Sequence, residues 1–247
     1  MVEKNRITRE KEWHNESHGD ARAPVAKYNA VLQGMKTLFQ EKVYSVLDKN
    51  TIFLDYGCSR GDRLLDFFQV INKGIGIDIS DARIERAKIK AREKNANNLE
   101  FFVMDAMNTT FENEKFDVIR GSAILHHLDL ALSLNELKRI LKNDGYAFFT
   151  EPLDTNLLIK FYRKLTPNSR TEDEQPLRRK DLKLVKHIFP NVEIKYFGFF
   201  VLLATPFHKK KYFSNILSVL TFFDKIFLGK WSPFKWLAWY CMLIMRK

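Results

Sequence analysis

Cysteine is scarce: Cys58 and Cys241 are the only two in 247 residues, and they stand far apart. Such a pair makes no disulfide framework, which excludes a cross-linked secreted scaffold and favours a reducing compartment, so cytoplasmic residence is the expectation. No run of apolar residues suits a membrane-spanning helix, which needs ~20 residues. The run WLAWYCMLIM (236–245) is only ten residues long and has charged neighbours. The opening MVEKNRITREKEWHNE is charged throughout, so no secretory leader is read there. Internal repeats and low-complexity tracts are also lacking. What remains is a chain of globular composition, with room for one substantial core and an added lobe or lid.

Acidic residues are missing from one end. Residues 207–247 hold eight Lys/Arg against Asp224 alone, while the other residues carry 33 basic and 29 acidic groups. The net charge of +11 is therefore mostly a property of the C-terminal end. A polyanionic partner there competes with a plainly solvated basic face. No platform of interleaved aromatic and basic residues accompanies the charge, so nucleic acid is not the expected partner.

The order of elements follows from hydrophobic periodicity. Apolar residues recur at helical spacing between Val25 and Leu47. The segments 51–57, 74–80, 99–105, 115–122 and 145–151 read as short buried strands. Helices are predicted over 62–71, over 82–94 behind the N-caps Ser80 and Asp81, and over 134–141 before a turn at Asn143-Asp144-Gly145. A strand over 191–205, a helix over 212–228 and a closing antiparallel strand complete the pattern. The expected fold is α/β, a Rossmann-like seven-stranded, mostly parallel sheet with helices on both faces and an antiparallel last strand. It divides into an N-terminal helical segment (1–48), a core (49–206) carrying a substrate loop (151–180), a basic amphipathic insert (207–235) and the final strand (236–247).

Three acids fall at three successive strand ends: Asp55, Asp78 and Asp105. Asp55 opens Asp-Tyr-Gly-Cys-Ser-Arg-Gly, a small-residue turn between strand and helix where a ligand can approach the backbone. Asp78 is placed as a carboxylate that bonds both ribose hydroxyls of an adenosine-bearing ligand. Asp105 is placed to meet the adenine amino group. The turn lacks the full Gly-x-Gly-x-x-Gly fingerprint, which argues against a nicotinamide enzyme.

These segments together resemble class I S-adenosylmethionine-dependent methyltransferases of the methyltransferase-11 and -25 type. LDYGCSRG is similar to the first motif, GIDIS to the second, FFVMDAM to the third, FDVIRGSAILHHLD to the fourth, and LKRILKNDGYAFFTEP to the fifth-strand segment, over about residues 50–152. The resemblance implies that Gly57, Cys58 and Gly61 line the methionine part of S-adenosylmethionine, with Asp55 near its amino group and Asp78 on the ribose. It further implies Ile79 packed on the adenine, Asp105 and Ala106 at its edge, and Ser122 and Tyr28 completing the cofactor set. Trp13 and His14 sit in a segment similar to the N-terminal helix that closes over the cofactor in some relatives. Ser59 stands where the family has Gly, and is accommodated if its φ is negative.

A hydroxyl acceptor needs its proton removed, and the candidate bases are His126, His127 and Glu151. Each also has a structural reading, as a solvated turn residue or a loop cap. No His/Asp/Glu spacing resembles a ligand set, so no metal is expected. The expected reaction is methyl transfer to a small or lipid-like acceptor, at oxygen, with S-adenosylhomocysteine as product. The alternative is a protein that kept the fold and lost catalysis, with an RNA methyltransferase as the lesser reading. HKKKYFSNILSVLTFFDKIFLGK reads first as a roof over an apolar pocket or a packing helix, then as a peripheral membrane contact, and last as a homodimer face.

Overall fold

The computed structural model describes residues 8–9, 11–12, 30–165, 174–229 and 231–247. Trp13, His14 and Tyr28 lie outside the described residues. Seven strands form one sheet in the order β3-β2-β1-β4-β5-β7-β6. They are β1 (Ile52–Tyr56), β2 (Lys73–Asp78), β3 (Leu99–Val103), β4 (Phe116–Ser122), β5 (Leu141–Pro152), β6 (Asn191–Phe197) and β7 (Tyr240–Arg246). The first five run parallel, and β7 is antiparallel to both β5 and β6. Parallel order carries the C-terminal ends of β1, β2 and β4 to one edge of the sheet, where ligands of open α/β sheets bind.

Alternation along the strands divides the apolar residues between two cores. Leu54, Ile119, Phe149 and Leu243 join one core; Phe53, Val118, Phe148 and Met242 join the other. The first core is covered by α3 (Leu130–Ile140) and α5 (Arg179–Ile188), the second by α1 (Gln33–Tyr44), α2 (Asp81–Glu93) and α6 (Phe213–Phe227). A strand buried on both faces reads as a continuous apolar run, which is why these strands were visible in sequence. Between β5 and α5 stands α4 (Leu157–Leu165).

Three expectations are corrected. The helix predicted over 62–71 is a single 3-10 turn at Leu64–Asp66. Gly61, at φ +74°, bends the chain before that turn. The strand predicted over 191–205 stops at Phe197, because Gly198 turns to φ +85° and Phe200–Phe207 coils into a 3-10 helix. Asp224 holds that coil, accepting the N–H groups of Phe199 and Phe200 at 3.1 and 2.6 Å. The turn expected at 143–145 lies inside β5 as an irregularity of register, with Asp144 left-handed at φ +63°.

Candidate functional site

The glycine-rich turn is tied to the neighbouring strand by its own backbone. Gly57 and Cys58 both donate to the Ile77 carbonyl, at 2.9 and 2.8 Å, and Gly61 donates to Cys58 at 3.0 Å. Gly57 sits at φ +77°, where a side chain is strained. Asp78 accepts the Ser59 N–H at 2.9 Å on one oxygen and the Ser80 N–H at 3.0 Å on the other. Ser59 itself has φ +52°. The condition of a negative φ therefore fails, and the turn holds a non-glycine residue in the left-handed region.

Cys58 turns its sulfur into the second core and is buried. Burial, reinforced by Asp55 and Asp78, pushes its thiol well above the ordinary range. Its contribution to the turn is therefore backbone and packing. Ile79 is half-buried, Ala106 is buried, and Asp105 accepts the Met107 N–H at 2.9 Å. The Tyr56 hydroxyl bonds the Ala106 carbonyl, which fixes the third acidic turn to β1.

Asp55 has a partner that sequence reasoning missed. In the β1–β4 ladder Asp55 lies directly across from Arg120, and the guanidinium reaches its carboxylate at 3.2 Å. Both side chains are buried, and each keeps an unpartnered atom: Asp55 Oδ2 and Arg120 Nε. Burial pushes the Asp55 carboxyl up, against the pull of Arg120. The signal in sequence is an arginine inside an otherwise apolar strand, which demands a buried anion nearby.

Arg120 also faces a cleft of about 920 Å³ between α1 and the sheet edge. Lys36, Arg63, Ser122, Thr150 and Tyr240 share its wall. Phe39 lies under the Arg120 guanidinium, 5.3 Å from its ring centre. Burial, then Arg63, lowers the Lys36 ammonium below its ordinary value. Ser122 bonds Thr150 at 2.8 Å.

The candidate bases form a separate group beside this cleft. Glu151 is fully buried and accepts the N–H groups of Ile124, Leu125 and His126 at 3.0, 2.9 and 3.4 Å. Its second oxygen meets His126 Nδ1 at 2.6 Å. A carboxylate only accepts, so Nδ1 carries the proton in this bond. His126 Nε2 points at Glu174, 3.9 Å away. Ligand atoms of His126, His127 and Glu174 lie within 4.8 Å of one another, a gathering that spacing along the chain did not reveal. It arises because Gln175 donates to the His126 carbonyl at 2.8 Å and Leu177 to Pro152 at 2.9 Å. Arg163 neutralises Glu174 at 2.7 Å.

The turn, the acids at successive strand ends and the strand order are those expected of one family, and a family model described as a methyltransferase domain matches residues 47–222. The chain belongs to the class I S-adenosylmethionine-dependent methyltransferases. Among relatives, a demethylmenaquinone methyltransferase of Lactococcus lactis subsp. lactis is 35% identical over 96 residues, 37% of this chain and 38% of that protein. An aklanonic acid methyltransferase of Streptomyces sp. is 34% identical over 104 residues, 40% of this chain and 47% of that protein. An uncharacterised Methanocaldococcus jannaschii protein is 31% identical over 133 residues, 50% of this chain and 49% of that one. The matches thus span about half the length of these relatives or less. In fold the methyltransferase resembles geranyl diphosphate C-methyltransferase of Streptomyces coelicolor, with a TM-score of 0.62 at 12% identity, covering 87% of this chain and 80% of that one.

Proposed function

We propose that the chain transfers a methyl group from S-adenosylmethionine to the oxygen of a small or lipid-like acceptor bound in the cleft beside α1. The observation that carries this reading is the buried Asp55–Arg120 pair. One oxygen of the acid and one nitrogen of the base lack partners. A zwitterionic amino-acid end, with an ammonium for Asp55 and a carboxylate for Arg120, matches that unmet demand. Lys36 and Arg63 add positive charge to the same wall.

Asp78 would hold the ribose while keeping the turn in place, since each carboxylate oxygen has a second lone pair. Ile79 would pack on the adenine, with Asp105 and Ala106 at its edge and the backbone of the Gly57–Gly61 turn along the methionine chain. Bound S-adenosylmethionine supplies an electrophilic methyl group on a sulfonium, and holding the acceptor in line with it is the chief task of the cleft. His126 and His127 would serve as the bases; they follow Ala123, which lines the cleft, by three and four residues. Glu151 acts as a positioning residue that aims His126 Nε2. The names of the relatives support this acceptor class: one acts on demethylmenaquinone, another on aklanonic acid. Cytoplasmic residence and a peripheral membrane contact through 207–235 accord with a lipid-like acceptor.

The test is calorimetric titration of S-adenosylmethionine and S-adenosylhomocysteine into the wild type and Asp78→Ala, followed by a screen of apolar hydroxyl compounds. Binding by the wild type that is much weakened in the variant supports the reading. No binding by a folded wild type refutes it, and binding without turnover across the screen favours a chain that kept the fold and lost catalysis.

A further inference from the structure

The 207–235 segment carries an amphipathic helix turned the unusual way round. On α6, Val219, Phe222, Phe223 and Ile226 recur at helical spacing and share one face. That face points to solvent: Phe222 is 60% and Ile226 64% exposed. A neighbouring face, with Phe213, Ile216, Leu217 and Leu220, packs against the second core. Beyond the helix the apolar surface continues through Trp231, 89% exposed, and Phe234, whose ring stacks on Phe227 at 4.4 Å.

Exposed charge on the 207–247 segment has one sign. Asp224 is the only acid between residues 207 and 247, and it is buried, capping the coil at Phe199 and Phe200. Lys209, Lys210 and Lys211, just ahead of the helix, are exposed, as is Lys225 on it. None of the apolar residues of α6 lines the cleft described above. No helix among the described residues is long and apolar enough to cross a membrane. An apolar stripe with an aromatic end and a basic border is the chemistry that enters the headgroup region of an anionic bilayer.

We propose that α6 and the segment through Phe234 dock the protein on an anionic membrane surface, with Phe222, Ile226 and Trp231 inserted and Lys209–Lys211 against the lipid phosphates. This deepens the reading of a lipid-like acceptor, yet its test needs neither cofactor nor acceptor, so the two can fail separately.

The experiment is co-sedimentation of the full chain with vesicles of phosphatidylcholine alone and of phosphatidylcholine with phosphatidylglycerol. Sedimentation velocity is run in parallel without lipid. Binding to the anionic vesicles, weakened by salt and lost in Phe222→Ser/Ile226→Ser, is the expected result. Replacing Lys209, Lys210 and Lys211 by Gln should cost about fivefold in binding per lysine. Both sets of variants change exposed residues away from the cleft, and their affinity for S-adenosylhomocysteine should equal that of the wild type. Failure of the folded wild type to bind anionic vesicles overturns the proposal. So does a stable dimer in solution that Phe222→Ser/Ile226→Ser dissociates, because the stripe is then the dimer face.

Discussion

Asp78 accepts the backbone N–H of Ser59 at 2.9 Å, so the acid that ends β2 holds the glycine-rich turn from which it is separated in sequence. One carboxylate thereby serves the turn and the expected ribose site. Asp78→Asn keeps one oxygen for the turn, loses the charge on the acceptor, and sets an amide NH2 against one of the two backbone N–H groups of Ser59 and Ser80. Cofactor affinity is expected to fall roughly 10- to 100-fold, the equivalent of a charged hydrogen bond of about 1.5–3 kcal/mol. Calorimetry checks this, and the thermal midpoint should fall as well, because one buried N–H loses its acceptor at a cost of about 1–3 kcal/mol.

Ser59 in the left-handed region stores strain that a glycine would not. Ser59→Gly should stabilise the protein by about 1 kcal/mol, less the added freedom of the unfolded chain. A urea midpoint that falls instead would mean that the serine side chain contributes more than its backbone costs.

The Asp55–Arg120 pair separates stability from binding. Arg120→Met strands a buried carboxylate and is expected to cost about 3–5 kcal/mol. Asp55→Leu/Arg120→Met removes both charges and should recover most of that loss in denaturant unfolding. Cofactor binding should stay lost in both variants. Recovery of binding in the double variant would take this pair out of the site.

Cofactor affinity should also depend on pH through Asp55. Burial raises its carboxyl above the ordinary aspartate range, against the pull of Arg120. If the ionised form receives the ammonium of the cofactor, affinity weakens as pH falls through that raised value. Asp55→Asn should flatten this dependence in titrations across the acidic range.

Glu174, shifted in the opposite direction, gives a pH dependence of stability. Burial pushes its carboxyl up, but His126 and Arg163 together pull harder and hold it below the usual glutamate value. Its contribution is therefore full above the unfolded value and is lost as pH falls through the depressed folded one. Glu174→Gln should be less stable than wild type near neutrality, with the difference closing in acid. Denaturant midpoints at several pH values measure it.

The turn and strand ends of the candidate site were legible because their signals are local. Gly57, Asp78 and Asp105 belong to continuous motifs at strand ends, and strands buried on both faces announce themselves as apolar runs. Arg120 was readable in principle, since a charge inside FDVIRGS needs a partner. Its identity as the neighbour of Asp55 depends on the register of β1 on β4, which no local pattern specifies. Glu174 beside His126 was out of reach for the same reason: a long connection brings them together. The premature end of β6 turned on Asp224 reaching back across a helix to cap two amides, a contact between remote residues.

The slot that β7 fills has a consequence for how the chain is made. β6 joins the sheet only through β7, which lies between it and β5. As residues emerge from a ribosome, β6 has no strand to pair with until 240–246 has been synthesised. During that interval β5 presents an open edge, the condition under which strands recruit partners from other chains. A shortened protein that stops before Tyr240 would lose an interior strand and strand β6 with it, so the damage would be a divided sheet rather than a trimmed rim.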